Sequence, residues 1–193
     1  IFIALFFFRG DPRDLVRTKR FNLQILRSFL GLSATFTFWG ALVFLSLVDC
    51  VAIVFISPLL VTALSVLFLG EKVGVHRWGA VIMGFIGVMI IIRPGMGIVH
   101  WAVILPLITA LFWANYQITT RILSRTDSAL TTLFYTAAGG LFFTTFAVWL
   151  DWVTPTFKQW FVFACLGFLG TMGHYFLIKA FELAPASMLA PFS

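Results

Sequence analysis

"SPLLVTALSVLFLGEKVGVHRWGAVIMGFIGVMIIIRP", Ser57 to Pro94, sets two long apolar runs on either side of a few polar residues. Gly70 suits the left-handed conformation that ends many helices. Glu71 and Lys72 then fall in water as the chain turns back, so "GEK" punctuates a tight helical hairpin. An acid at such a boundary is foremost a solvated turn residue; a proton-carrying role for Glu71 is the sharper alternative.

The rest of the chain extends this pattern. Apolar stretches recur over Ser28 to Val48, Cys50 to Leu69, Trp78 to Ile92, Trp101 to Thr120, Ala129 to Leu150 and Trp160 to Ala180. Most approach the roughly 20 residues a helix needs to cross the hydrocarbon. The chain is 61% hydrophobic and 10% charged, well below the about 25% charge of soluble domains. Unpaired backbone groups are costly in lipid, and these runs lack the polar alternation of a barrel, so the expected fold is an all-α membrane bundle with six complete spans. Residues 1 to 8, "IFIALFFF", are too short to cross, and "ASMLAPFS" starts an apolar run that stops, so both ends are expected to be truncated.

Lys and Arg accumulate on the cytoplasmic side of membrane proteins. One side of this chain holds Arg9, Arg13, Arg17, Lys19, Arg20, Arg27, Lys72, Arg77, Arg121, Arg125 and Lys179, and the other only Arg93 and Lys158. The eleven-to-two distribution orients the chain, and its net charge of +6 requires no nucleic acid. "DPRDLVRTKRF" is readable as a short interfacial helix with Asp11 as cap and Pro12 at its first position, or as a solvated loop.

A shift of 136 residues lays "FLGLSATFTFWGALVFLSLVDCVA" on "CLGFLGTMGHYFLIKAFELAPASM", matching Leu30 and Gly31 to Leu166 and Gly167, Thr35 to Thr171, Trp39 to Tyr175 and Leu47 to Leu183. Five spans separate matched positions, an odd number, so the copies are inverted, an architecture recurrent in secondary transporters whose substrate site lies where the halves meet.

At this point "AIVFISPLLVTALSVLFLGEKVGVHRWGAVIMGFIGVMIIIRPG" resembles the fourth and fifth helices of an EamA repeat in the drug/metabolite transporter superfamily. "LPLITALFWANYQITTRILSR" is similar to the helix opening the second repeat. The resemblance implies ten helices in two inverted five-helix repeats. Here residues 1–98 would form the first, lacking its first helix and part of the second. Residues 99–193 would form the second, lacking most of its fourth helix and all of its fifth. It also implies a multi-pass protein of the bacterial inner membrane that moves small metabolites such as amino acids, chiefly outward, by alternating access. A homodimer is compatible with that reading.

Thr109, Trp113, Tyr116 and Thr120 are spaced by four, three and four, which puts hydroxyls and rings on one helical face. Thr35 with Trp39, and Thr171 with Tyr175, each set a hydroxyl one turn before a ring, as two similar walls of one cavity. Asn115 and Gln117 add amides, and His174 lies well inside a span. Polar groups at that depth usually face the bundle interior or a water-filled path, so Trp113, Tyr116, Thr109, Thr120, Asn115, Trp39, Thr35, His174, Tyr175 and Thr171 are the candidate substrate-binding residues. The plainer readings are inter-helix hydrogen bonds and interior packing.

His174 is also a candidate proton carrier, and with Ser33 of "GLSA" a candidate hydrolase dyad resembling rhomboid proteases, although Ser33 fits equally in the small-residue ladder Ser33, Thr37, Ala41. Ala80 with Gly84, Gly167 with Gly170, and Thr132, Thr136, Gly140 and Thr144 form further small faces. Cys50 and Cys165 have no metal-ligand spacing, and the chain contains no phosphate loop, so neither metal nor cofactor is expected and the chain is not read as an enzyme. The competing class is a non-transporting membrane protein that packs against partner helices.

Overall fold

A computed structural model describes residues 15–92, 101–148 and 153–190. Regular structure among these residues is helical throughout: α1 (Phe21–Leu42), α2 (Leu47–Val54), α3 (Ser57–Leu69), α4 (Val75–Ile92), α5 (Ile104–Leu123), α6 (Ala129–Val148), α7 (Phe157–Leu183) and α8 (Ala186–Leu189). Five stretches are long and apolar enough to cross a membrane: Phe21–Leu42, Leu47–Leu69, Trp101–Leu123, Ala129–Phe146 and Phe157–Leu183. The sixth expected span is α4, whose apolar segment Trp78–Gly87 is shorter among the described residues. The chain is an all-α, multi-pass integral membrane protein. Asp11 and Pro12 of the proposed interfacial helix and the segment around Arg93 and Pro94 lie outside the described residues; of the rest of that helix, Leu15 and Val16 are helical and residues 17–20 are not.

The first two spans differ in extent from the apolar runs. α1 begins at Phe21, seven residues before Ser28, because Gln24 and Arg27, which interrupt the hydropathy, have partners inside the bundle. It stops at Leu42 although the next residues are apolar. In the intervening turn the Phe44 ring meets that of Trp101, with centres 4.8 Å apart and planes 60° apart. Ser46 then caps α2, accepting the Asp49 N–H at 3.1 Å while its hydroxyl donates to the Asp49 carboxylate at 2.7 Å. The expected continuous run from Cys50 breaks after Val54 and restarts at Ser57, with Pro58 in the first turn, where its missing N–H costs nothing.

Gly70 ends α3 at φ 64° and ψ 25°, the left-handed cap expected of it. Glu71 departs from the expectation of a simple solvated turn residue. It is half-buried, and its two oxygens accept the backbone N–H groups of Ala186 and Ser187 at 2.9 and 3.0 Å. The first N–H groups of a helix have no intrahelical acceptor and attract negative charge, so a carboxylate reaching the start of α8 satisfies both needs. Burial works to raise the Glu71 pKa, but the Ser187 and Ala186 donors, aided by the Arg121 charge, hold it below the ordinary carboxylate range.

α5 is the centre of the bundle. Half of its most apolar window is buried, against 6% for α7 at the rim. It packs chiefly on α1 and α3, and also on α2 and α7. Val61 of α3, Ala114 and Ile118 of α5 and Phe181 of α7 form one apolar cluster with Ala186 and Ala190. Small residues set the spacing elsewhere: a Cβ on Gly139 of α6 would lie 2.6 Å from that of Ser28 on α1, and one on Gly84 of α4 would lie 3.0 Å from the Leu59 side chain.

Candidate functional site

One face of α1 carries Gln24, Arg27, Ser28, Gly31 and Thr35, spaced as helical neighbours. Arg27 was counted above with the cytoplasmic bases, but it lies in the second turn with none of its surface exposed. Its Nε donates to the Thr120 hydroxyl at 2.7 Å, Nη1 to the Thr136 hydroxyl and to the Thr132 carbonyl at 3.5 Å, and Nη2 to the Tyr116 hydroxyl. The guanidinium carbon also sits 4.3 Å from the centre of the Tyr116 ring. No carboxylate is among these partners; the ion pair present among the described residues joins Lys179 to Glu182. Taking a cation out of water costs several kcal/mol unless it is compensated. Here three helices, α1, α5 and α6, supply hydroxyls and a carbonyl in place of a counterion.

Tyr116 connects this cation to an aromatic cluster. Its ring stacks on Trp113 with centres 5.0 Å apart and planes 12° from parallel. Its hydroxyl lies 3.3 Å from His174 Nδ1, and the His174 ring centre is 6.2 Å from that of Trp113. Gly31 allows the close fit of α1, since a Cβ there would come within 3.2 Å of the Tyr116 ring. Three cavities meet at this cluster. One of about 170 Å³ is bordered by Ser28, Gly31, Thr35, Trp113, Tyr116, Thr136 and His174. A second, of about 450 Å³, runs along α7 past Trp113, Gly170, Gly173, His174 and Leu177. A third, of about 340 Å³, lies between Thr35, Phe38, Trp39, Thr109 and Trp113. Trp113 borders all three, and His174 borders the first two.

The structure gathers part of the expected set. Tyr116, Thr109 and Thr120 are buried on the inward face of α5; Thr109 shares a 2.8 Å hydrogen bond with Thr37 of α1. Thr35 borders two cavities, although its hydroxyl donates back to the Gly31 carbonyl at 2.9 Å. Trp39 is 66% exposed and reaches only the third cavity. Asn115 turns its amide to the Leu111 carbonyl of its own helix at 2.8 Å.

His174, Thr171 and Tyr175 were expected to border one cavity, but of these His174 alone lines the first two cavities. The Thr171 hydroxyl is returned to Gly167, and Tyr175, one residue and so about 100° round the helix from His174, packs on the cluster of Ala129, Leu133 and Ile178. His174 Nδ1 faces Tyr116, and no hydrogen bond joins it to the Ser33 hydroxyl among the described residues, which leaves the hydrolase dyad without geometry.

Arg27, Ser28, Gly31 and Thr136 were missed as site residues. Their signal was present: a base flanked by small and polar residues at three- and four-residue spacings is a stripe aimed at a neighbouring helix. Thr132 and Thr136, taken above as packing residues, are the ones that accept from Gln24 and Arg27.

Residues 1–93 and 100–193 match the model of the EamA-like transporter family. A riboflavin transporter of Vibrio cholerae is 34% identical over 185 residues, covering 93% of this chain and 61% of that protein. An S-adenosylmethionine uptake transporter of Rickettsia prowazekii is 24% identical, with 93% and 61% covered, and a pseudopaline exporter of Pseudomonas aeruginosa is 25% identical, with 87% and 60% covered. The chain thus spans about three fifths of the length of these relatives. No solved structure matches it.

Proposed function

This chain belongs to the EamA-like transporter family, and on that premise we propose that it forms the substrate path of a small-metabolite carrier in the bacterial inner membrane. The observation that carries the reading is the position of Trp113, which borders all three cavities at the junction of α1, α5 and α7. In this reading α1 belongs to one inverted repeat, 1–98, and α5 and α7 to the other, 99–193, so the cavities open where two halves rock against each other. Relatives named for riboflavin and for S-adenosylmethionine support a substrate with a planar heterocycle. The stacked pair of Trp113 and Tyr116 offers such a ring an apolar platform.

The test is flux of riboflavin and of S-adenosylmethionine in proteoliposomes containing the full-length protein, with and without Trp113→Ala. Loss of a stacking platform is worth about 0.5–1.5 kcal/mol beyond buried area, so the variant is expected to lose at least about two- to tenfold of its flux at unchanged yield and melting temperature. A normally folded variant that transports at the wild-type rate would remove Trp113 from the path.

A further inference from the structure

We propose that this site is built for a metabolite carrying an anionic group, a carboxylate or a phosphate, received by the His174 Nε2–H, a donor whose direction is imposed by buried Arg27. The inference deepens the transport reading and rests on it.

Arginine has five N–H donors and no acceptor, so every group bonded to it must accept. The partners of Arg27 obey this and pass their own protons onward. Thr120 accepts from Nε and donates to the Tyr116 carbonyl at 2.7 Å; Thr136 accepts from Nη1 and donates to the Thr132 carbonyl at 2.7 Å. Tyr116 accepts from Nη2, and its own proton has one acceptor among the described residues, His174 Nδ1 at 3.3 Å. The reverse arrangement, His174 donating to Tyr116, would leave the hydroxyl proton of a 1% exposed side chain without an acceptor, at a cost that disfavours it. His174 is therefore the neutral tautomer that accepts at Nδ1 and carries its N–H on Nε2. No described residue takes that proton, and the ring borders both the 170 and the 450 Å³ cavities.

Charge points the same way as hydrogen-bond direction. Arg27 is fully buried without a carboxylate partner. The acid of the neighbouring turn, Asp127, is engaged by Gln24 at 2.9 Å, the Lys19 N–H at 3.1 Å and the Thr18 hydroxyl. Uncompensated positive charge in a medium of low dielectric favours an anion over a neutral acceptor in an adjoining cavity. His174 Nε2 presents the donor, while Trp113 and Gly173 leave room for the apolar body of the guest.

The experiment titrates the full-length protein in lipid nanodiscs with three flavins that share one ring system: riboflavin, flavin mononucleotide with its phosphate, and a carboxymethylflavin with its carboxylate. Flavin fluorescence quenching reads the binding. At least one anionic flavin is expected to bind about tenfold or more tightly than neutral riboflavin, as a charge-assisted hydrogen bond is about twice as strong as a neutral one; which of the two is preferred tells phosphate from carboxylate. In His174→Phe the preference should fall below about twofold, and His174→Gln, which restores an N–H donor, should recover most of it. Riboflavin binding as tightly as both anions, an anion preference that survives in His174→Phe, or binding of none of the three would each overturn the inference. The transport reading fails separately, if folded wild-type protein in proteoliposomes moves neither riboflavin nor S-adenosylmethionine.

Discussion

Removal of the Glu71 carboxylate should loosen the start of α8 without disturbing the aromatic site. Glu71 accepts two backbone N–H groups, from Ala186 and Ser187, at 2.9 and 3.0 Å. A hydrogen bond to a charged group contributes about 1.5–3 kcal/mol when well buried, but Glu71 is only half-buried, and water competes for both donors. Discounted for that competition, the pair is worth about 1–2 kcal/mol, or about five- to thirtyfold in a local opening equilibrium.

Hydrogen exchange followed by mass spectrometry on the full-length protein in nanodiscs reads this directly. The amides of Ala186 and Ser187 should exchange about tenfold faster in Glu71→Ala than in wild type at one pH, and less than that in Glu71→Gln, which keeps one acceptor. The pH dependence has a definite sign. A carboxyl whose folded pKa is depressed contributes stability above its unfolded value, about 4.3, and loses it as pH falls through the lower folded value. The wild-type advantage should therefore be unchanged between pH 7 and pH 5 and disappear only at more acidic pH. Equal exchange in wild type and Glu71→Ala, or an advantage that fades between pH 7 and pH 5, would refute the assignment.

Two further outcomes are expected. Gly139→Ala places a methyl 2.6 Å from the Ser28 Cβ and should cost about 1–3 kcal/mol by overpacking, measured as a lower melting temperature, whereas the same change at Gly140, with nothing within 4 Å of an added Cβ, should be nearly neutral. Reporter fusions after Lys72 and Arg125 should score cytoplasmic and one at Asp151 external, as the distribution of bases requires; the opposite pattern would reject the orientation.

Hydropathy alone determined that this chain is a membrane bundle of helices, because lipid leaves the backbone few alternatives and each span declares itself by local composition. The left-handed cap at Gly70 and the inward stripe of Thr109, Tyr116 and Thr120 were likewise legible, since each depends on residues within a few turns of one another. What only the tertiary structure decided is which polar groups meet. Arg27 counts as a helix-end base in sequence, and its burial exists only because Thr120 and Tyr116, about ninety positions on, and Thr136, further still, supply acceptors from two other helices. Glu71 looks like a solvated turn residue until the start of α8 is brought to it across more than a hundred positions. Tyr175 and His174 are neighbours in sequence yet face different helices, because one step along a helix turns a side chain by about 100°. Helix formation in lipid is a local consequence of apolar composition. Pairing of buried polar groups depends on distances between segments far apart in the chain, which no local pattern encodes.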